Sequence, residues 1–219
     1  MRLPNILLSV AVIIAASLAN AQQLKVIKDT VDYKLMEVDS GYFYSHGIEK
    51  KNDFILDTSI IKKKNGILRL PLLNGKFKEF KDSLMLDTFN WDKKEYVYSG
   101  ENKRLKCYLV IGNYWESSGY FLIDKNNGEK DFLNNMPNYS PSYIYYGYCF
   151  FYHMDDPMKG VVIVENLKTK KIIRLFLDKQ DPTHFKWIDD YKFLFKTDVI
   201  GGEEYKETKD KYFLVEIKK

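Results

Sequence analysis

The sequence predicts an all-β protein made of antiparallel four-stranded units in a propeller-like array of about four units, the last of them incomplete. Three observations predict this fold class. Tyr and Phe are abundant, with 17 and 14 residues, and aromatic residues favour strands. Long apolar patterns of helical period are absent after the first 21 residues. A similar short apolar strand recurs four times along the chain.

The first 21 residues predict a signal peptide. Arg2 supplies a basic start, an apolar segment follows from 6 to 18, and Ala19-Asn20-Ala21 has the small residues of a cleavage site. The apolar segment is shorter than the roughly 20 residues that span a bilayer, although an uncleaved anchor is the alternative. We therefore expect export to the periplasm or the cell exterior, no membrane span after cleavage, and a single β domain over 22–219.

The four recurring strands set the repeat. They are ILRL at 67–70, FLID at 121–124, VIVE at 162–165 and FLVE at 213–216, which lie 54, 41 and 51 residues apart. Turn-forming residues follow three of them, in NGK, KNNGEK and NLKTKK, and each turn leads into another short strand. Asn and Gly tolerate the positive φ that tight hairpins require.

Two further strands are expected before each of the last three anchors. The segments are KEYVYSG with LKCYLVIGNYW, PSYIYYG with YCFFYH, and HFKWIDD with YKFLFKT. Four strands in 40 to 55 residues is about the period of a propeller blade. A β-sandwich or a simple meander is the alternative, because turn signals at this spacing serve those folds too.

Three phrases carry a resemblance to known propellers. SPSYIYYGY at 140–148 and WIDDYKFLFKT at 187–197 resemble the Ser-Pro-Asp-Gly-Lys-Tyr phrase of TolB-type and WD40-like bacterial repeats. YFLIDKNNGEKDFL at 120–133 resembles the phrase that completes such a blade. In the first segment Ser142-Tyr143 stands where the motif has Asp-Gly. In the second segment Tyr191 stands where the motif has Gly. The resemblance covers about residues 45–219 and implies an exported repeat protein without an assigned activity.

The last unit lacks a final outer strand, because the chain ends soon after FLVE. The segment QLKVIKD at 23–29 alternates apolar and charged residues. We expect it to pair with the strand near 212–217, since an unpaired sheet edge invites aggregation.

Cys107 and Cys149 fall in the second strands of consecutive units. An exported chain with two cysteines raises the expectation of a bridge. Packed sheets are about 10 Å apart, however, and a disulfide needs Cα atoms within roughly 7 Å. We therefore predict two buried thiols without a disulfide.

Charge argues against a nucleic-acid partner. The formal net charge is +4 for the whole chain, and the basic residues are mixed with nearly as many acids instead of forming one basic face.

No catalytic residue, cofactor or metal site is predicted. The chain has no Gly-x-Ser-x-Gly and no Gly-rich phosphate loop. His153, Asp155 and Asp156 in FYHMDDPM lack a further His-rich motif to complete a metal site. DKNNGEKD at 124–131 fails the calcium-loop register and is interpreted as a hairpin turn.

Aromatic residues give the only candidate binding surface. GNYWESSGY places Tyr114, Trp115 and Tyr120 around small residues, and exposed Tyr and Trp are good anchors for a partner. The competing interpretation places these rings over the hydrophobic end of a sheet, because aromatic residues are mostly core residues. The function predicted is a non-catalytic exported interaction module that binds a protein or glycan of the cell envelope. A glycan-binding or glycan-active protein is the alternative.

Overall fold

The structure is a computed structural model that describes residues 24–27, 31–48, 53–83, 93–152, 159–178, 180–199 and 210–218. The chain divides into two compact units, one of which contains Met1–Ile48 and Ser140–Lys219, and the other Glu49–Tyr139. The predicted signal peptide and the segment 153–158 lie outside the described residues.

Strands dominate the described part of the chain. In chain order the elements are β1 (Leu24–Ile27), β2 (Tyr33–Val38), α1 (Ser40–Ser45), β3 (Lys63–Lys64), β4 (Ile67–Pro71), β5 (Phe77–Lys81), β6 (Lys94–Asn102), β7 (Cys107–Tyr114), β8 (Ser118–Asp124), β9 (Lys130–Leu133), β10 (Asn138–Tyr139), β11 (Tyr145–Tyr152), β12 (Lys159–Asn166), β13 (Ile172–Asp178), β14 (Gln180–Trp187), β15 (Lys192–Val199) and β16 (Lys211–Ile217). The all-β prediction is confirmed.

The unit Glu49–Tyr139 contains two antiparallel sheets in which neighbours in sequence are neighbours in space. Their orders are β3-β4-β5 and β6-β7-β8-β9. Asn65 and Gly66, at the turn between β3 and β4, have φ of +51° and +71°, which a tight two-residue hairpin requires. The second sheet has the antiparallel four-stranded form that the sequence predicts.

The core of this unit lies between one face of each sheet. Leu68 and Leu70 from β4 pack in one cluster with Val110 from β7 and with Phe121 and Ile123 from β8. Leu70, Val110 and Ile123 have no exposed surface. Burying a side chain of this kind contributes about 1.5–3 kcal/mol, so these contacts hold the two sheets together.

The other unit also contains two antiparallel sheets. One runs β14-β15-β16-β2, and the other includes β1, β13, β12 and β11 in that order. Strand β2 pairs with β16 in the register Leu214↔Met36, whereas β1 pairs with β13 in the register Val26↔Leu175. The prediction that 23–29 pairs near 212–217 is therefore wrong. An N-terminal strand does complete the last sheet, but that strand is β2, which follows β1 in the chain.

The inner faces of these two sheets meet in an aromatic core. Trp187, Phe193 and Phe195 pack against Val162 and Leu175, and all five are almost entirely buried. The rings form edge and stacked contacts, such as Trp187–Phe193 at 5.5 Å between centroids. Such pairs add roughly 0.5–1.5 kcal/mol beyond area burial.

Helix α1 covers the opposite face of the last sheet. Phe43 is 2% exposed and packs on Leu194 and Leu214. Asp39 caps the helix, because its carboxylate accepts a hydrogen bond from the N–H of Tyr42 at 2.7 Å. The short helix therefore covers the sheet with the buried ring of Phe43 and the partly buried Tyr42, whereas Tyr44 is exposed.

Two hairpin turns show that the similar segments of sequence form equivalent structure. In 124–129 and in 166–171 the first N–H donates to the sixth carbonyl, at 3.0 and 2.9 Å. The fifth residue of each turn, Gly128 or Lys170, has positive φ of +78° or +58°. The first side chain accepts a backbone N–H, as Asn166 does from Thr169 at 2.8 Å. The segment 124–131 is thus a hairpin, as predicted.

Two strands that the sequence predicts before the third anchor are replaced by one longer strand in the structure. PSYIYYG and YCFFYH were expected to form two, but β11 runs from Tyr145 to Tyr152 without interruption. The residues before it form a turn, in which the N–H of Tyr143 donates to the carbonyl of Ser140 at 2.9 Å and Tyr143 has φ of +60°. The turn reverses the chain where a strand was expected, and Tyr143 occupies the position that Gly has in the repeat phrase.

Cys107 and Cys149 are both buried and carry no disulfide. Burial raises the pKa of the Cys107 thiol to about 12, because the thiolate would lose its hydration. Cys107 is therefore expected to be inert toward thiol reagents in the folded chain.

Candidate functional site

The predicted site lies on the hairpin between β7 and β8. The N–H of Tyr114 donates to the carbonyl of Ser117 at 2.8 Å, which leaves Trp115 and Glu116 at the tip. Trp115 is 45% exposed, and its indole N–H donates to the Glu116 carboxylate at 3.1 Å. Nearly half of Trp115 is therefore open to a partner, which favours its role as an anchor over the interpretation that it covers the end of the sheet.

Tyr114 lies against the core of its unit. Its ring packs on the cluster that contains Val110 and Phe121. The pKa of Tyr114 is raised to about 12, first by burial and then by the adjacent Tyr96 hydroxyl. Tyr114 therefore anchors the base of the hairpin, and only part of its ring remains for contact with a partner.

Tyr120 lies on the opposite face of the sheet. It pairs across the strands with Ile111, whereas Gly112 pairs with Gly119. Because side chains alternate between faces along a strand, Tyr114 belongs to the face of Gly112, and Tyr120 to the face of Ile111. The structure therefore does not bring Tyr114, Trp115 and Tyr120 together on one surface.

The small residues of the hairpin make room for the protein's own rings. A Cβ on Gly112 would lie 2.8 Å from the Phe121 ring and 3.0 Å from the Tyr114 hydroxyl. A Cβ on Gly119 would lie within 3.0 Å of the Phe132 ring. These two glycines are therefore occupied by contacts inside the protein, and among Tyr114, Trp115 and Tyr120 only Trp115 is exposed.

A second aromatic surface lies on α1, and the sequence reasoning missed it. Tyr44 is 66% exposed, and its ring contacts Phe43 and Tyr212 with centroids 5.3 and 5.9 Å apart. Tyr42 stacks on His46 at 4.0 Å. The signal in the sequence is SGYFYSH, in which three aromatic residues follow the capping Asp39.

Several charged side chains form ion pairs at turns and strand ends. Lys125 binds Glu101 at 2.6 Å and lies 4.8 Å from the centre of the Tyr108 ring. Lys196 binds Asp198 at 2.8 Å and Asp210 at 2.9 Å. These networks fix turns and strand ends.

The described residues contain no group of three or more His, Cys, Asp or Glu side chains placed to hold a metal ion. His153, Asp155 and Asp156 lie outside those residues. Among the described helices, none has the length and apolar character to cross a membrane.

Comparisons with known proteins give no family. No protein-family profile matches the chain, and neither the curated proteins nor the solved structures contain a significant match.

Proposed function

We propose that this protein is an exported, non-catalytic interaction module that binds a protein of the cell envelope through the tip of the β7–β8 hairpin. The observation that carries the proposal is the 45% exposure of Trp115 at that tip. Trp is the residue type most enriched among energetically dominant interface anchors.

The hairpin presents this anchor rigidly. Tyr114, the residue before Trp115, packs into the core and closes the turn by its hydrogen bond to Ser117. A rigid anchor loses little conformational entropy on binding, so Trp115 can contribute most of its contact area to affinity.

Export and a propeller-like array of the sheets are part of the proposal. The pattern of residues 1–21 supports export, and the repeated hairpins support the array. Repeated sheets give a stiff scaffold whose connections carry binding residues. Mass spectrometry of protein from the native host should find an N-terminus at Gln22, and retention of Met1 would contradict export.

A glycan-binding or glycan-active protein is the alternative function. A flat sugar platform at the predicted site would need Tyr114 and Tyr120 on one face, which the register of β7 and β8 separates. A hydrolase would need two carboxylates across a cleft, about 5–10 Å apart. Release of reducing sugar from envelope glycans by the purified chain would favour the alternative.

The test is capture of partners from the envelope fraction of the source cell with the chain that starts at Gln22. We compare the original chain with Trp115→Ala, and use Leu73→Ala as the control, because Leu73 is an exposed apolar residue in a turn of the same unit. Loss of a true anchor weakens binding by 2 kcal/mol or more, about thirtyfold.

Loss of a captured protein in Trp115→Ala, with unchanged melting and with Leu73→Ala unaffected, supports the proposal. If Trp115→Ala captured the same protein as well as the original chain does, the hairpin tip would not be the binding surface. A large fall in melting temperature for Trp115→Ala would mean that this side chain stabilises the fold.

A further inference from the structure

Three large aliphatic side chains are exposed within one short loop, residues 55–60. Ile55 is 61% exposed, Leu56 58% and Ile60 73%. Single apolar residues are common on protein surfaces, whereas three of them within six residues form a patch of the kind that marks an interaction site. The 55–60 loop is therefore a candidate contact surface.

Both ends of the 55–60 loop are anchored in the fold. Phe54 and Ile61, which lie on either side of it, are 1% and 5% exposed. Ile55 and Glu101 also exchange two backbone hydrogen bonds of 3.0 Å, which tie the loop to the end of β6. The loop therefore presents its aliphatic side chains to solvent in a fixed conformation.

The carboxylates nearest to the loop are engaged by other groups of the protein. Asp57 accepts a hydrogen bond from the N–H of Ser59 at 2.9 Å. Its pKa is lowered by the hydrogen bonds from Ser59 and also by the charge of Lys103. Glu101 binds Lys125 at 2.6 Å. These negative charges are therefore partly compensated within the protein.

The lysines that follow the loop are only partly compensated in this way. Lys63 binds Asp82 at 2.7 Å and lies 3.6 Å from Glu95. Lys62 and Lys64 are exposed, and neither forms an ion pair with another described residue. Two uncompensated cations therefore lie directly beside the aliphatic patch.

This combination of side chains fits the surface of a membrane that contains anionic lipids. Ile and Leu transfer favourably into the acyl region, and lysines are attracted to an anionic leaflet. Interfacial proteins use the same pairing of an apolar surface with basic residues. A protein partner fits less well, because dominant interface residues are mainly Trp, Tyr and Arg, and Lys is depleted from interface cores.

We propose that the 55–60 loop docks this protein on an anionic lipid bilayer. Its three aliphatic side chains insert below the headgroups, and Lys62 and Lys64 contact the lipid phosphates. The docking is peripheral and needs no membrane-spanning segment. The loop is distinct from the hairpin tip at Trp115, and the inference does not depend on the function proposed above.

The test is sedimentation of the chain that starts at Gln22 with lipid vesicles, since the apolar segment 6–18 would bind lipid by itself. One set of vesicles contains phosphatidylglycerol and phosphatidylcholine in equal parts, and the other contains phosphatidylcholine alone. Half of the protein should sediment with the anionic vesicles at or below about 1 mM lipid, which is tenfold weaker than one myristoyl chain achieves. The neutral vesicles should bind about tenfold more weakly or worse, because the attraction of the lysines is lost.

Leu56→Asn combined with Ile60→Asn removes two of the three aliphatic side chains. This double variant should bind the anionic vesicles about tenfold more weakly or worse, because the burial of two such side chains is lost. Leu73→Asn is the matched control, since Leu73 is 60% exposed in the same unit. It should bind as the original chain does.

Lys62→Gln combined with Lys64→Gln tests the charges without changing the aliphatic patch. Binding to the anionic vesicles should weaken about tenfold or more, and binding to the neutral vesicles should not change. Lys168→Gln combined with Lys171→Gln removes two exposed lysines from another turn. This control has the same net charge and should leave binding unchanged.

Insertion is measured with a fluorophore in the loop. Ile60→Trp should keep the affinity, and vesicles with brominated acyl chains should quench its fluorescence more than that of Leu73→Trp. The bromine atoms lie in the apolar layer, so quenching requires that the side chain at position 60 reaches that layer.

Three results would overturn the proposal. The first is that the anionic vesicles sediment no protein at about 10 mM lipid, a hundredfold above the concentration at which one myristoyl chain binds. The second is that Leu56→Asn with Ile60→Asn binds as well as the original chain. The third is that Ile60→Trp is quenched no more than Leu73→Trp. Melting temperatures of all variants are measured, and if the double Asn variant is unfolded, the lysine variants and the quenching decide.

Discussion

Gly160 on β12 lies directly against the backbone at the start of strand β14. A Cβ at this position would be closer than 3.0 Å to the carbonyl oxygen of Gln180 and to Cδ of Pro182, and 3.2 Å from the carbonyl carbon of Gln180. These atoms belong to a backbone and a proline ring, neither of which can rotate away. Gly160→Ala therefore forces the two sheets apart.

The expected loss of stability follows from two opposing effects. Overpacking a core costs typically 1–3 kcal/mol, and rigid neighbours place Gly160→Ala near the upper end, at about 3 kcal/mol. Replacing Gly by Ala also reduces the entropy of the unfolded chain and returns roughly 0.4–1 kcal/mol. We expect a net fall of about 2 kcal/mol in the free energy of unfolding.

Gly147→Ala is the matched control. Gly147 on β11 faces the same strand, but the three atoms nearest to its Cβ would all belong to the ring of Phe185. A half-buried ring can swing aside, so we expect a net loss below about 1 kcal/mol. The difference between the two variants isolates the contribution of the rigid backbone contact.

Urea unfolding followed by the fluorescence of Trp187 measures both variants. Trp187 is 1% exposed and lies in the same core. The chain has 3 Trp residues, so Trp91→Phe and Trp115→Phe leave it as the sole reporter. Unchanged m values would show that the free energy alone has shifted. A loss below about 0.5 kcal/mol for Gly160→Ala, or a larger loss for Gly147→Ala, would refute the reasoning.

Two further outcomes are expected. Phe43→Ala should lower the free energy of unfolding by about 3–5 kcal/mol, whereas Tyr44→Ala next to it should change it by less than about 0.5 kcal/mol; equal effects in urea unfolding would contradict the packing of α1. Iodoacetamide at pH 8 should label neither Cys107 nor Cys149 in the folded chain, and both after denaturation without reductant, because burial raises the pKa of the Cys107 thiol to about 12 and the thiolate is the reactive form. Mass spectrometry counts the labels: failure to label the denatured chain would reveal a disulfide, and rapid labelling of the native chain would show that the thiols are accessible.

Much of the fold could be predicted from local sequence. Turn residues such as Asn65-Gly66 and the segment 124–129 adopt conformations that their own side chains favour, as the positive φ of Gly66 and Gly128 indicates. The antiparallel units follow from these turns, because a short turn places neighbouring strands side by side. The separate strand predicted from PSYIYYG is absent, because the residues before β11 form a turn. Tyr143 takes a left-handed conformation there, which is one that favours Gly.

The candidate site was predicted only in part for a reason of geometry. Trp115 lies at a turn, and turns are exposed, so its place could be anticipated. The separation of Tyr114 from Tyr120 depends on the register across the hairpin, in which Gly112 faces Gly119. A shift of one residue would have moved Tyr120 to the other face.

The sequence by itself determined the antiparallel units, their hairpin turns and the strands from which they are built, because those features depend on contacts between near neighbours in the chain. Only the tertiary structure decided that β2 completes the last sheet while β1 joins β13. Both N-terminal segments alternate polar and apolar residues, and either could have paired with β16. The choice is made by packing between segments far apart in sequence, where Leu35 of β2 meets the same core as Val215 and Phe193, and no local pattern contains that information.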